Sequence, residues 1–298
     1  MEQRQADANA PLVSIVVPAY NEEAAIAADL DGIKAAMDAS PYSYEVIVVD
    51  DGSRDRTAEI ARQRPWVRLL QHPRNLGGGA ARNTGLKAAK GEIVVMTDAD
   101  NTYPVKDIPR FIAYMLEGQH DMVIGNRQRE AGTLRLLRTP AKWFIRSLAS
   151  YLTQSEIPDL NSGLRAFKRQ PALDLLNILP NTHSWVSTIT IAFLYNGLSV
   201  RWLPIEYYPR KGKSTFHPVR DSYNYISLVI RTVMYFNPIR IFLPLFSFLL
   251  VVSVAKLIRD FIVYRSFYVP AITLMLFLTA IQVMSLGLLA DLIVKRVR

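Results

Sequence analysis

Two apolar stretches near the C-terminal end constrain this chain more than any other feature. Ile241–Ala255 carries no charge and resumes after Lys256 with Leu257 and Ile258, and Phe267–Ala290 carries none at all. About 20 apolar helical residues cross the hydrocarbon core of a bilayer, so both stretches are long enough to span one. Short basic flanks are poor company for two buried core helices, and the expectation is a two-helix transmembrane anchor over 241–298. The first fifteen residues lack a basic start followed by an apolar run, so no cleavable signal peptide is expected. Two spans return the chain to its starting side, and the positive-inside rule puts Arg231, Arg240, Lys295, Arg296 and Arg298 in the cytoplasm, with Arg259 and Arg265 in the connection pulling the other way. The expected location is therefore a multi-pass membrane protein with its N-terminal 200 residues cytoplasmic.

The charge distribution agrees with a membrane partner. The net charge is +9, yet residues 1–200 hold 22 basic and 22 acidic side chains, so the whole surplus lies in 201–298, beside the apolar runs. That pattern fits anionic headgroups and argues against nucleic acid. The absence of cysteine excludes disulfides, thiolate metal sites and a Cys nucleophile.

Upstream the hydrophobic period shortens. Val13–Val17, Glu45–Val49, Val67–Leu70, Ile93–Thr97 and Met122–Ile124 read as strands, and Glu23–Met37 and Ala80–Ala89 as helices between them. Alternation at this spacing predicts an α/β domain around a mostly parallel sheet. Ligands of such sheets bind beyond the carboxyl ends of the strands. Tyr20-Asn21-Glu22, Asp50-Asp51-Gly52-Ser53 and Asp98-Ala99-Asp100 all fall at those ends.

Asp98 and Asp100 leave one strand end together, where two carboxylates suit Mg2+ or Mn2+; with no Cys and no close His pair, zinc is a poor match. An acidic turn capping the next helix is the plain alternative, and position at the sheet edge favours the ligand reading. Asp50–Ser53 is compatible both with a tight turn and with a carboxylate receiving hydrogen bonds from a base or ribose. The stretch NLGGGAARNTG, Asn75–Gly85, looks like a phosphate cradle. A dinucleotide fingerprint, however, places its glycines after the first strand, where this chain has Pro18-Ala19-Tyr20-Asn21-Glu22-Glu23, and no Gly-Lys-Ser/Thr follows at P-loop spacing. Leu134–Leu152 and Tyr223–Tyr235 mix aromatic, aliphatic and basic residues and read as amphipathic helices in the membrane interface. His183 and His217 share no ligand spacing and read as structural or surface residues.

PAYNEE at 18–23, DDGSRDRT at 50–57, NLGGGAARNTGLKAAKG at 75–91 and TDAD at 97–100 together resemble the family 2 inverting glycosyltransferases of the GT-A fold. Asp159-Leu160-Asn161-Ser162-Gly163-Leu164-Arg165, Arg210-Lys211-Gly212-Lys213-Ser214 and Phe236-Asn237-Pro238 resemble the polyprenyl-phosphate branch, which contains dolichyl-phosphate mannose synthases and bacterial polyprenyl-phosphate glycosyltransferases. The resemblance covers about residues 11–240. Thr102 departs from it, standing where those synthases carry a metal-contacting Gln.

The resemblance implies a GT-A catalytic domain over 11–217 after a disordered start at 1–10, then a juxtamembrane amphipathic helix over 218–240 and the anchor. It implies inverting transfer of one sugar from a UDP- or GDP-sugar to a polyprenyl phosphate. The donor is expected on Pro18, Tyr20, Glu22, Asp50, Asp51, Asp98 and Ala99, with Mg2+ or Mn2+ on Asp98 and Asp100. Asp100 and Asp159 are the expected catalytic residues, Asp159 as general base or orienter. Arg127, Ser162, Arg210, Lys213 and Ser214 are expected at the acceptor phosphate. A homo-oligomer is compatible with the spans. Two alternatives stay open: a lipid or sugar hydroxyl as acceptor, and a non-catalytic nucleotide-sugar-binding membrane protein. A processive polysaccharide synthase would carry Gln-x-x-Arg-Trp, and Leu198 stands at the Gln position before Arg201-Trp202.

Overall fold

A computed structural model of the chain describes residues 10–127, 154–182, 184–209, 237–264 and 269–297, with isolated positions at 147, 150, 230 and 234. Residues 1–9, Arg210–Pro218, His183 and, apart from the isolated positions, the two expected interfacial helices lie outside the described residues. So do Arg210, Lys213 and Ser214. Contacts divide the chain into two compact units, Met1–Tyr225 and Ile226–Arg298.

The first unit is built on a seven-stranded sheet in the order β3-β2-β1-β4-β6-β5-β7. Its strands are β1 (Val13–Ala19), β2 (Tyr44–Asp50), β3 (Val67–Gln71), β4 (Ile93–Met96), β5 (Met122–Arg127), β6 (Arg165–Lys168) and β7 (Val200–Ile205). Only β6 runs against its neighbours, pairing antiparallel with both β4 and β5. The parallel register sets Ala19 beside Asp50 and Val16 beside Met96, so β1, β2 and β4 end at one edge.

Helices cover both faces. On one side α1 (Ile26–Asp38) turns Ile26, Leu30, Ile33 and Met37 onto Val13, Ile15 and Val17. These are spaced as one helical stripe, which is why this segment folds as a helix. The same core takes Ile108, Phe111, Ile112 and Met115 of α4 (Ile108–Glu117). On the other side, α3 (Gly78–Ala88) contributes Ala81 and Leu86 against Val16, Ile47 and Val49. Trp185, Ile189 and Phe193 join that layer from a later helix, α6 (Trp185–Tyr195). Two short helices, α2 (Thr57–Arg62) and α5 (Arg169–Asp174), also lie among the described residues of this unit.

The sequence pattern finds five of the seven strands within a few residues. β6 escapes it because its four residues, RAFK, begin and end in a cation and carry no readable alternation. β7 contains Pro204 and Arg201, and proline is tolerated because β7 is an edge strand. α1 starts at Ile26 rather than Glu23, because the residues before it are spent in a turn in which the Glu22 carbonyl accepts from Ala25 and Ile26.

The second unit is a helical hairpin of α7 (Ile239–Tyr264) and α8 (Ala271–Val297). Both helices are long and apolar enough to cross a membrane, and most of their side chains point outward. They approach closely at Gly287, where a Cβ would lie 2.5 Å from Cβ of Phe242. A small polar knot lies between them. Asp260 receives Lys256 Nζ at 2.7 Å and Thr273 Oγ1 at 2.9 Å, while Ser253 Oγ donates to the Thr273 carbonyl at 3.2 Å.

Candidate active site

The loops that leave β1 and β2 are stapled to each other. Asn21 N–H donates to Ser53 Oγ and Arg54 N–H donates back to Asn21 Oδ1, each at 2.9 Å. Glu22 N–H donates to Thr57 Oγ1 at 2.8 Å, Glu23 N–H to Asp55 Oδ2 at 3.2 Å, and Arg56 N–H to Glu23 Oε2 at 3.1 Å. Burial acts to raise the Asp55 carboxyl, but the hydrogen bonds from Thr57 and Glu23 outweigh it and hold it below the ordinary range. Much of both motifs is therefore consumed in holding the two loops together. Tyr20 stays exposed beside them, and Pro18 and Glu22 are half-buried.

Asp51 looks inward as well. Its Oδ1 accepts from Leu76 N–H at 2.9 Å and meets His72 Nδ1 at 2.7 Å, and its Oδ2 accepts from Gly77 N–H at 2.9 Å. His72 Nε2 in turn lies 2.9 Å from Thr84 Oγ1. Asp51 thus fixes the loop leading to α3. Asp50, also buried, accepts from Ser53 N–H and Gln71 Nε2, both at 3.2 Å.

The glycine-rich stretch is explained by close packing. A Cβ on Gly79 would lie 2.3 Å from the Pro180 carbonyl oxygen and 2.5 Å from that of Thr182, and Ala80 N–H donates to the Asn181 carbonyl at 3.2 Å. Gly77 adopts φ 103°, a conformation that favours glycine. The 180–182 segment seats against these glycines.

Beyond β4 stand the two aspartates. Asp98 Oδ1 is paired with Arg82 Nη2 at 2.5 Å, and Arg82, nearly buried, also donates to the Gly78 carbonyl at 3.1 Å. Asp100 Oδ1 accepts from Thr102 Oγ1 at 2.5 Å and Thr102 N–H at 3.2 Å. Ala99 between them is buried in the core. A third carboxylate that the motif reading misses lies behind them. Asp29 of α1 is buried, its Oδ2 accepts Asn101 N–H at 2.9 Å, and burial, against that bond and with the charges of Asp100, Asp98 and Glu22, pushes it up to about 7. Its signal in the sequence is a carboxylate three residues after Ile26, on the apolar stripe of α1.

Arg127 and Asp159 form a fork. Arg127 Nε and Nη2 donate to Asp159 Oδ2 and Oδ1 at 2.7 and 2.9 Å, a bidentate geometry. Burial acts to raise the Asp159 carboxyl, but the Arg127 guanidinium and the N–H groups of Asn161 and Arg127 hold it below the usual carboxylate range. The Arg127 guanidinium lies 5.2 Å from the Tyr207 ring centroid, and Tyr207 packs edge-on against Tyr103. Tyr103 accepts Gly163 N–H at 2.7 Å, and a Cβ on Gly163 would lie 2.4 Å from Asp98 Oδ2. Burial and the Asp98 charge raise the Tyr103 hydroxyl while the Arg127 charge lowers it. Tyr103 therefore stands between the acidic pair and the arginine.

Ser162 is fully buried, and its carbonyl accepts from Arg165 Nη2 at 2.5 Å. Arg165 is fully buried too, and burial, with the nearby Arg82 charge, lowers its guanidinium to about 9. Its other bonds go to the Val186 carbonyl at 2.8 Å and Thr190 Oγ1 at 3.0 Å. The sequence-chosen residues Asp98, Arg127 and Asp159 are thus linked through Gly163, Tyr103 and Tyr207, Asp100 is tied to Thr102, and Asp51 and Ser162 point into the protein.

No group of three or more His, Cys, Asp or Glu able to hold a metal exists among the described residues. Two hard carboxylates at one strand end, Asp98 partly exposed and Asp100 buried, still fit a divalent cation that shares its shell with phosphate oxygens, the usual habit of Mg2+.

The fold is that of the GT-A class. Glucosyl-3-phosphoglycerate synthase of Mycobacterium tuberculosis bound to phosphoglyceric acid shares the fold with a TM-score of 0.59 at 24% identity, covering 75% of this chain and 80% of that one. The same enzyme with Mn2+ and UDP-glucose aligns with a TM-score of 0.58. Residues 14–176 match the model of glycosyl transferase family 2, and residues 237–295 match that of the GtrB C-terminal hairpin. The chain belongs to glycosyl transferase family 2. Its relatives include the dolichyl-phosphate hexose transferase of Haloferax volcanii, 32% identical over 69% of this chain and 87% of that protein. The undecaprenyl-phosphate 4-deoxy-4-formamido-L-arabinose transferase of Aeromonas hydrophila is 36% identical over 53% of this chain and 49% of its own length. The dolichyl-phosphate beta-glucosyltransferase of Trichomonas vaginalis is 33% identical over 57% and 55%. The chain spans about half the length of the last two.

Proposed function

We propose that this protein transfers a single sugar, with inversion, from a UDP- or GDP-sugar to a polyprenyl phosphate at the cytoplasmic face of a membrane. The observation that carries the reading is the arrangement about Tyr103, with Asp98 of the strand-end pair on one side and a carboxylate-fixed arginine on the other. Family membership, the matching hairpin and the names of the relatives support it.

In this reading the donor lies over the ends of β1, β2 and β4, against Pro18, Tyr20 and Glu22, with buried Asp50 shaping the turn beneath it. Asp98 and Asp100 hold Mg2+ or Mn2+, which when bound supplies positive charge against the departing diphosphate. Arg127 faces the acceptor phosphate, joined by Arg210, Lys213 and Ser214. A phosphate monoester has its second pKa at about 6 and is already ionised at neutral pH. Its oxygen attacks the anomeric carbon while the bond to the diphosphate breaks, and no strong base is required. Asp159 then acts as orienter: it stays ionised because Arg127 is bound to it, and it holds that guanidinium in place. Residues 11–217 form the catalytic domain, 218–240 the juxtamembrane segment and 241–298 the anchor, which keeps the enzyme at the surface where a lipid acceptor is found.

The test is nucleoside-diphosphate release by purified protein with Mn2+, a panel of nucleotide-sugars, and either polyprenyl phosphate or the matching polyprenol. Release that needs the phosphate and disappears in Asp100→Ala is expected. Equal turnover with the polyprenol would overturn the acceptor assignment and make Asp159 an obligatory base.

A further inference from the structure

One buried group in the first unit has no part in the chemistry above. Asp29 is 3% exposed and lies on the core-facing stripe of α1 with Ile26, Leu30 and Ile33. A carboxylate there is costly to bury, and no cation pairs with it among the described residues; an apolar side chain would fold at lower cost. Its position makes sense in terms of what it holds. Asp29 Oδ2 accepts the backbone N–H of Asn101 at 2.9 Å, and Asn101 Nδ2 donates to the Ala25 carbonyl at 3.4 Å. One turn of α1 thereby grips the residue that follows Asp100 at two points. Asn101 has φ 57°, a left-handed conformation that side-chain-bearing residues adopt rarely and asparagine tolerates best. On its far side Thr102 is tied back to Asp100 Oδ1.

We propose that Asp29 is a positioning residue for the cation-holding pair: by accepting the Asn101 N–H it fixes the left-handed turn after Asp100 and so sets where the Asp100 carboxylate stands. This rests on the assignment of Asp98 and Asp100 to a divalent cation. Groups that orient metal ligands typically cost about 10- to 100-fold in metal affinity when removed. Asp29 acts through the backbone and touches neither cation nor sugar.

The experiment compares Asp29→Leu, which removes the acceptor and leaves an apolar, larger side chain, with Asp29→Asn, which keeps both the volume and an acceptor oxygen. The full-length detergent-solubilised protein is titrated with Mn2+ alone and free Mn2+ is read by electron paramagnetic resonance. Amide hydrogen exchange over 98–102 is measured without any metal. Asp29→Leu is expected to bind Mn2+ about tenfold more weakly or worse and to exchange faster at Asn101, while Asp29→Asn stays within about threefold of wild type on the same scale. Asp29→Ala serves as a second variant lacking the acceptor, so that a packing fault peculiar to leucine is recognised. Unchanged exchange and an unchanged Mn2+ titration in Asp29→Leu overturn the proposal. Equal weakening in Asp29→Leu and Asp29→Asn also overturns it, since charge rather than the hydrogen bond would then be acting. A wild-type protein that binds no Mn2+ overturns the cation assignment instead, and is distinguished because no variant is needed to see it.

Discussion

Gly163→Ala isolates what the position of Asp98 contributes. The added Cβ would lie 2.4 Å from Asp98 Oδ2, 2.9 Å from its Cγ and 3.0 Å from Tyr103 Cε2. Ordinary contact begins near 3.4 Å, so the Asp98 carboxylate has to retreat by about 1 Å. It cannot do so freely, because its other oxygen is held at 2.5 Å by Arg82, which is itself bonded to the Gly78 carbonyl. Gly163 does not have a positive φ, so the alanine backbone is unstrained and the disturbance stays local. A misplacement of about 1 Å at a reacting centre costs on the order of 100-fold in rate, or about 2.7 kcal/mol. The assay is kcat/KM for the nucleotide-sugar beside a thermal melt. Gly125→Ala serves as a control, since its Cβ would meet Cδ1 of Ile205 at 2.5 Å, the movable end of a side chain. Activity of Gly163→Ala within about threefold of wild type, against the roughly 100-fold expected, would refute the argument that Asp98 must stand where it does.

Asp29 makes stability depend on pH. With its folded value near 7 against 3.8 for the free group, its contribution is complete below about pH 4 and lost as pH rises through 7, so metal-free Asp29→Asn gains on wild type between pH 5 and 8. About three units correspond to an upper limit of about 4 kcal/mol, and a difference that stays flat between urea melts at those two pH values would contradict it. Arg127→Met strands a buried carboxylate and should destabilise by about 3–5 kcal/mol, with most of the loss recovered in the double variant carrying Asp159→Asn; an equally unstable double variant in the same denaturation series would mean that the pair is not coupled. Gly79→Ala drives a Cβ into two backbone carbonyls of the 180–182 segment, and a loss of about 1–3 kcal/mol is expected. A calorimetric melt matching wild type would show that this segment gives way.

What was legible in the sequence is local and periodic. The strands β1 to β5 are runs of β-branched and aliphatic residues, and both apolar helices of the hairpin announce themselves by length. Asp98, Asp100, Arg127 and Asp159 stand out singly, as members of short motifs or as cations near them. Their relations do not. Arg127 and Asp159 are 32 residues apart and become a fork only because β5 and the segment before β6 are brought together. Asp51 looks like a ligand residue in a linear reading, yet its partners are N–H groups 25 and 26 residues onward. Ser162 sits in a polar motif and is nevertheless interior, because the following β6 runs through the middle of the sheet. Asp29 hides for the opposite reason: one acidic residue in a helix looks ordinary until the stripe it occupies is seen to face the core.

The polar knot of the hairpin bears on how the protein is made. Asp260 belongs to the first long helix, but one of its partners, Thr273, belongs to the second, and Ser253 also bonds across to that residue. Under the anchor reading proposed above, polar groups without partners in hydrocarbon cost several kcal/mol; the first helix alone keeps Lys256 on Asp260 but lacks the Thr273 contacts, so it would enter a bilayer less readily than the finished pair. The two helices are then expected to leave the insertion machinery together rather than in turn. A chain truncated after Pro270 should integrate less completely than the full hairpin, and replacing Asp260 with leucine should remove most of that difference. Equal integration of both lengths in a protease-protection assay would mean that each helix enters by itself.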